Sequence, residues 1–265
     1  MIMPAPFYPS ASQIDEDLPM MNRSEFISAL VKLGQERYHS LHPFHKLLHN
    51  GKLNFKQVQA WALNRFYYQW SIPRKDLTLM ARINDVKLRL EWRSRVIDHE
   101  GDIDGSGGIS RYLQLCERLN LDLDYVKSCE GLLPATKFAV DAYVSFVEDR
   151  SLLEGIASSL TEIYAPAIHK ERIVGLSKHY DWADDYALAY FKKRIGQARK
   201  DVEFGREWVI KNAKSRSDQE AVLNAVKFKT QVLWAQLDAL YYAYVDPGNI
   251  PPGCFVPEDN SKAGQ

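Results

Sequence analysis

Cationic side chains recur inside apolar stripes along this chain. Val58, Trp61, Ala62, Arg65, Tyr68, Gln69 and Ile72 follow helical spacing, so one helix face carries core residues and a guanidinium together. Leu88, Trp92, Arg95 and His99 form a second such stripe, and Ala187, Tyr190, Arg194 and Gln197 a third. Val222, Val226, Lys229, Leu233 and Gln236 make a fourth. A buried cation without a partner is strongly destabilising, so these positions need counter-groups inside the fold, and an anionic ligand is one candidate.

The same periodicity predicts helices over about 23–36, 55–82, 85–100, 109–119, 135–149, 152–164, 167–176, 182–213 and 218–245, with no alternating strand. Asn22, Asn54, Asp181 and Ser217 stand at the starts of four of them as N-caps. Pro73 is expected to kink the second long helix, Gly105-Ser106-Gly107-Gly108 reads as a loop, and Pro134 and Pro166 fall at helix starts. The predicted fold is an all-α, single-domain bundle over 22–245, between an irregular N-terminal extension (1–21) and an irregular tail (246–265), both loosely held.

Composition narrows the function classes. Thirty-four basic and thirty-four acidic residues cancel, so no global field steers the chain toward nucleic acid or a membrane surface. No apolar run approaches a membrane span and Met1–Pro6 is not a secretory leader, which leads us to expect a soluble, cytoplasmic protein. Cys116, Cys129 and Cys254 are odd in number and widely spaced, indicating neither disulfides nor a cysteine zinc site.

Familiar catalytic motifs are missing. The glycine loop lacks the dinucleotide register and follows a helix, and no Walker loop, nucleophile elbow or His-Glu-x-x-His occurs. Glu36-x-x-His39 matches half of a di-iron carboxylate motif, but the later stripes put Tyr190, Arg194 and Lys229 where anionic metal ligands would be wanted. Arg65, Arg172, Arg194 and Lys229 could each be a structural ion pair with Asp76, Asp141, Glu162 or Asp201. Taken together with Tyr68, Tyr143, Tyr190, His39, His99 and His169, they resemble a pocket for a planar, multiply carboxylated molecule.

Read as strings, several segments are similar to the pyrroloquinoline quinone biosynthesis protein C family. They include Tyr38-His39-x-x-His42-Pro43-x-His45, Asn64-Arg65-Phe66-Tyr67-Tyr68-Gln69, Ile72-Pro73-x-Lys75-Asp76 and Asp98-His99-x-Gly101. Further matches are Lys137 to Tyr143, Ser158-Ser159-Leu160-Thr161-Glu162, Ala165-Pro166-x-Ile168-His169, Gln197-Ala198-x-x-Asp201-Val202-Glu203 and Phe228-Lys229, so the likeness spans about 26–244. Glu100 departs from the aspartate of the family's His-Asp-Gly motif.

The resemblance implies a haem-oxygenase-like bundle with a buried central pocket. It implies the final ring closure and oxygen-dependent oxidation of a tricarboxylated amino-quinone precursor, releasing hydrogen peroxide with no metal or redox cofactor. By that resemblance Arg65, Arg172 and Lys229 hold substrate carboxylates, and Tyr68, Gln69, Arg95, Tyr143, Thr161 and Glu162 complete the substrate pocket. His99 becomes the general base, His39 a second acid or base, and Tyr190, Arg194 and His169 the oxygen-handling group. A homodimer is also implied. The metal-dependent oxidases of the same fold carry His-x-x-x-Asp-x-x-His where this chain has Tyr190, Arg194 and Gln197. A thiaminase-like cysteine nucleophile is not matched, since Cys116 and Cys129 lie outside the cationic stripes. A metal-dependent (di-iron) oxidase and a non-catalytic carrier of the quinone remain as alternatives.

Overall fold

The computed structural model describes residues 18–103 and 105–257, and for 198–202 the backbone alone. Among the described residues eleven helices follow in order: α1 (Arg23–Arg37), α2 (Pro43–His49), α3 (Phe55–Met80), α4 (Val86–Glu100), α5 (Gly108–Arg118), α6 (Leu123–Ser128), α7 (Pro134–Asp149), α8 (Leu152–Ser158), α9 (Ala165–His179), α10 (Ala189–Asn212) and α11 (Arg216–Tyr244). Short 3-10 turns at His39–Leu41 and Ser159–Ile163 interrupt them, and no strand occurs among the described residues. None of these helices is long and apolar enough to cross a membrane. Most of the 1–21 extension lies outside the described residues.

Helix starts largely follow local chemistry. Asn22 with Glu25 and Asn54 with Gln57 form reciprocal capping boxes that open α1 and α3. Three expectations are corrected. The cap of α11 is Ser215, boxed with Asp218, not Ser217. Asp181 caps nothing: residues 181–188 coil into turns, with the Asp184 carboxylate accepting the Ala187 N–H, so α10 begins at Ala189 and not at Trp182. The helix expected over 152–164 ends at Ser158, whose hydroxyl donates to the Gly155 carbonyl, and the chain tightens into the 3-10 turn that carries Thr161 and Glu162. Pro73 lies inside α3, which continues to Met80.

The apolar core is split by height. One cluster fills the end where Phe44, Trp61, Tyr112, Leu176, Phe191 and Leu240 meet. A second joins Phe26, Leu79, Trp92, Phe146, Val209 and Val226 at the other end. The long helices α3, α10 and α11 contribute to both, and their mid-height side chains are Arg65, Tyr68 and Gln69, then Arg194, then Lys229 and Gln236. The tail is not loose as far as it is described: the Phe255 N–H donates to the Gly131 carbonyl at 2.9 Å, and Tyr244 Oη donates to the Phe255 carbonyl at 2.7 Å.

Candidate active site

Between the two apolar clusters lies a cavity of about 60 Å³. From α3 come Arg65, Tyr68, Gln69 and Ile72; the 3-10 turns supply His39, Thr161 and Glu162; α4 adds His99; α9 adds Ile168, His169 and Arg172; α10 adds Tyr190 and Arg194. Gly107 secures the α4 end, because a Cβ there would lie 2.2 Å from the His99 carbonyl oxygen. The cavity volume is below the roughly 300 Å³ at which small-molecule pockets begin.

One wall is a neutralised charge network. Arg95 donates two bonds to Glu162, at 2.8 and 3.1 Å, and Arg194 approaches the same carboxylate at 3.6 Å. Burial by itself would raise the Glu162 pKa, but Arg95 and Arg194 outweigh it and hold the carboxyl below the usual carboxylate range. Behind Arg95, Asp76 Oδ1 accepts from Lys75 Nζ at 2.5 Å and from Trp92 Nε1 at 2.8 Å, and lies 3.8 Å from Arg95 Nε. Of the ion pairs expected from sequence, Arg194–Glu162 forms, whereas Asp76 serves Lys75 and Asp141 accepts from Tyr67. The Asp201 side chain lies outside the described residues.

The opposite side carries cations with no carboxylate partner among the described residues. Arg65 donates to Gln236 Oε1 at 3.3 Å and lies 3.9 Å over the Tyr68 ring. Arg172 lies beside the stacked rings of Trp61 and Phe191, 5.4 and 5.1 Å from their centroids, and burial beside Arg65 lowers its pKa to about 10. Lys229 Nζ has no hydrogen-bond partner among the described residues and rests on the faces of Tyr143 at 3.1 Å and Tyr68 at 4.2 Å. Burial, with Lys75 and Arg65 nearby, presses Lys229 well below the ordinary lysine pKa. The stripes that mixed cations with core residues thus converge on one under-neutralised pocket.

Three of the expected site residues stand outside the cavity wall. Lys229 and Tyr143 lie behind Tyr68, and Arg95 stands behind Glu162. Tyr38, Ile72, Ala165, Ile168 and Leu233 line it without having been singled out as site residues. Tyr38 adjoins His39, with ring centroids 4.4 Å apart, and its place in the Tyr-His string was the signal that could have marked it.

The histidines and tyrosines facing the cavity are held neutral. His99 Nδ1 lies 3.0 Å from the Arg95 carbonyl, so Nδ1 carries the proton and Nε2 is left as an acceptor. Burial and then Arg194 lower His99 to about 4. His39 and His169 are pushed well below the ordinary imidazole value, by burial first and then by Arg65 and Arg172 respectively. Tyr190 donates to Gln69 Oε1 at 2.6 Å and meets the His169 ring edge-on at 6.3 Å. Cys116 is in the apolar cluster, its thiol pushed up to about 12 by burial, and is no nucleophile for this cavity.

Among the described residues, His45, His49 and Glu171 form a set with metal-ligating atoms, the three lying within 4.8 Å of one another. This set lies on α2 and α9, behind Arg172 and not on the cavity wall.

The TENA/THI-4/PQQC family profile matches residues 27–239. The pyrroloquinoline-quinone synthase of Rhodopseudomonas palustris (strain TIE-1) is 55% identical over 249 residues, covering 94% of this chain and 98% of that protein. That of Gluconobacter oxydans (strain 621H) is 52% identical, covering 91% of this chain and 100% of the relative. Among solved structures, a Shewanella denitrificans domain with a haem-oxygenase-like fold superposes with a TM-score of 0.70 at 13% identity, covering 89% of this chain and 99% of that one. A TenA homologue from P. horikoshii OT3 gives 0.66 at 14% identity, covering 82% and 98%. The helical bundle is thus the haem-oxygenase-like one, and the chain belongs to the TENA/THI-4/PQQC family.

Proposed function

We propose that this chain is a pyrroloquinoline-quinone synthase, closing the last ring of a tricarboxylated amino-quinone precursor and oxidising it with O₂, without a metal or redox cofactor. The observation that carries this reading is the cavity wall where Arg65 and Arg172, with Lys229 behind Tyr68, lack carboxylate partners among the described residues. Three substrate carboxylates would supply the missing charge, and one arriving near Lys229 would favour its protonated form. Tyr68 supports the ring system from one side, with Tyr143 parallel to it at 12° on the far side of Lys229.

His99 Nε2 takes the proton whose loss makes the bound ring electron-rich; its neutral form is ready because burial and Arg194 disfavour imidazolium. Each oxidation step passes two electrons and two protons from the reduced ring to O₂, giving the oxidised ring and hydrogen peroxide. Tyr190, Arg194 and His169 form the oxygen side: a hydroxyl donor and a cation stabilise the reduced oxygen, and His39 serves as a second acid or base. Gln69 and Thr161 orient the ring, while Glu162 and Arg95 hold Arg194 in place. The protein acts as a cytoplasmic homodimer in this reading.

The test is aerobic incubation with the precursor, following the quinone product optically and peroxide with a coupled assay. Wild type should form both, and His99→Asn and Tyr190→Phe should each slow turnover about 10²-fold or more while still binding product. Wild-type rates in both variants would refute the assigned roles. Activity that vanishes on chelation and returns with iron would refute the cofactorless reading, and binding without oxygen uptake would make the chain a carrier.

A further inference from the structure

Arg172 is aimed from behind. The rings of Trp61 and Phe191 stack on each other with centroids 6.3 Å apart, and the guanidinium lies to one side of the pair, 5.4 and 5.1 Å from the centroids, so they do not set its direction. Direction comes from Nε–H, which donates to His49 Nε2 at 3.2 Å. With Nε engaged there, the terminal nitrogens of Arg172 make no hydrogen bond among the described residues and are the groups left for a ligand.

For that bond to form, His49 must offer a lone pair at Nε2 and carry its ring proton on Nδ1. Two features secure this. Burial and the Arg172 charge keep the imidazole neutral. In addition, Nδ1 faces Glu171 Oε1 at 3.6 Å, where a carboxylate favours the protonated nitrogen. The same carboxylate faces His45 Nε2 at 3.6 Å, and the His45 and His49 rings meet edge to face at 3.8 Å, so His45 braces the second ring. Glu171 is 55% exposed at the outer end, whereas both ring nitrogens facing it are buried and make no hydrogen bond among the described residues.

We propose that His49, its tautomer set by Glu171, is a positioning residue that directs Arg172 toward a carboxylate of the bound ligand. The inference rests on the carboxylate-holding role of Arg172 given above. A divalent cation held by His45, His49 and Glu171 is the competing use of these atoms. It would need the ring proton of His49 on Nε2, pointing at the Arg172 donor, and would place a second positive centre beside a buried guanidinium. The observed Arg172–His49 bond disfavours the first condition, and the buried charge of Arg172 the second.

Two variants separate aim from packing. His49→Leu keeps much of the volume and removes the acceptor, whereas His49→Gln places an amide oxygen near the position of Nε2. His49→Leu should raise KM for the precursor about ten-fold with kcat within about two-fold, and His49→Gln should recover most of the loss. Independently of any substrate, the NMR signal of Arg172 Nε–H should persist in wild type and His49→Gln and be lost in His49→Leu. An unchanged KM in a folded His49→Leu protein overturns the proposal, as does a His49→Gln protein equal in thermal stability to wild type but as impaired as His49→Leu. Stoichiometric zinc binding by wild type that Glu171→Gln abolishes also overturns it. If wild type does not turn over or bind the precursor, the functional reading fails, while the Nε–H signal still decides the Arg172–His49 contact.

Discussion

Asp76→Asn should be among the most damaging single changes outside the cavity wall. Asp76 is fully buried and is the anion that neutralises Lys75, which is itself 1% exposed. Asparagine keeps an acceptor for Trp92 Nε1 but removes the charge, leaving Lys75 Nζ with Ser159 Oγ at 3.2 Å as its other partner. Removing one member of a buried ion pair costs about 3–5 kcal/mol. That is a large share of a domain stability of about 5–15 kcal/mol. Urea denaturation should show the midpoint falling by about 1–2 M. Lys75→Met added to Asp76→Asn should then be less damaging than Asp76→Asn alone, because it removes the stranded cation. A loss below about 1 kcal/mol for Asp76→Asn, or a double variant whose cost is the sum of the singles, would refute the reasoning.

Arg65→Ala should weaken binding of the quinone product about 10- to 100-fold by losing one charge-assisted contact, measured by fluorescence or calorimetric titration; unchanged affinity removes Arg65 from the carboxylate set. Gly34→Ala would place a Cβ 2.1 Å from the Tyr164 ring, whose hydroxyl donates to the Leu30 carbonyl and whose face meets Tyr38 at 4.9 Å. It should cost about 1–3 kcal/mol in a thermal melt. Stability should decline on acidification in two stages. His99, depressed to about 4 from an ordinary 6.5, contributes stability that is full above about 6.5 and is lost as pH falls toward 4. Asp76, whose carboxyl is held below its ordinary value by Lys75 and Arg95 against burial, contributes stability present above the ordinary carboxylate range and lost below it. Urea midpoints flat from pH 7 to 4 would contradict the first stage.

Helical periodicity and the string matches made α3, α4 and α11 legible, because each buries a stripe whose composition is written locally: Val58 to Ile72, Leu88 to His99, Val222 to Gln236. The short α2 was not legible. It is seven residues long, its N-cap is His42, whose Nδ1 accepts the Phe44 N–H, and Pro43 at its start was its one conventional mark. The break of α8 into the 3-10 turn was likewise hidden, though it is what brings Glu162 against Arg95 and Arg194. Sequence showed that cations enter the interior, since spacing along one helix is enough to place a side chain on its buried face. It did not show which cations are neutralised. That depended on pairings 67 residues apart for Arg95–Glu162 and 123 for Arg172–His49, distances at which only the packing of α4, α9 and α2 around α3 and α10 brings charges together. Local pattern determined the bundle and its polar band; tertiary contact decided that Arg95 and Arg194 meet Glu162 while Arg65, Arg172 and Lys229 have no carboxylate partner among the described residues.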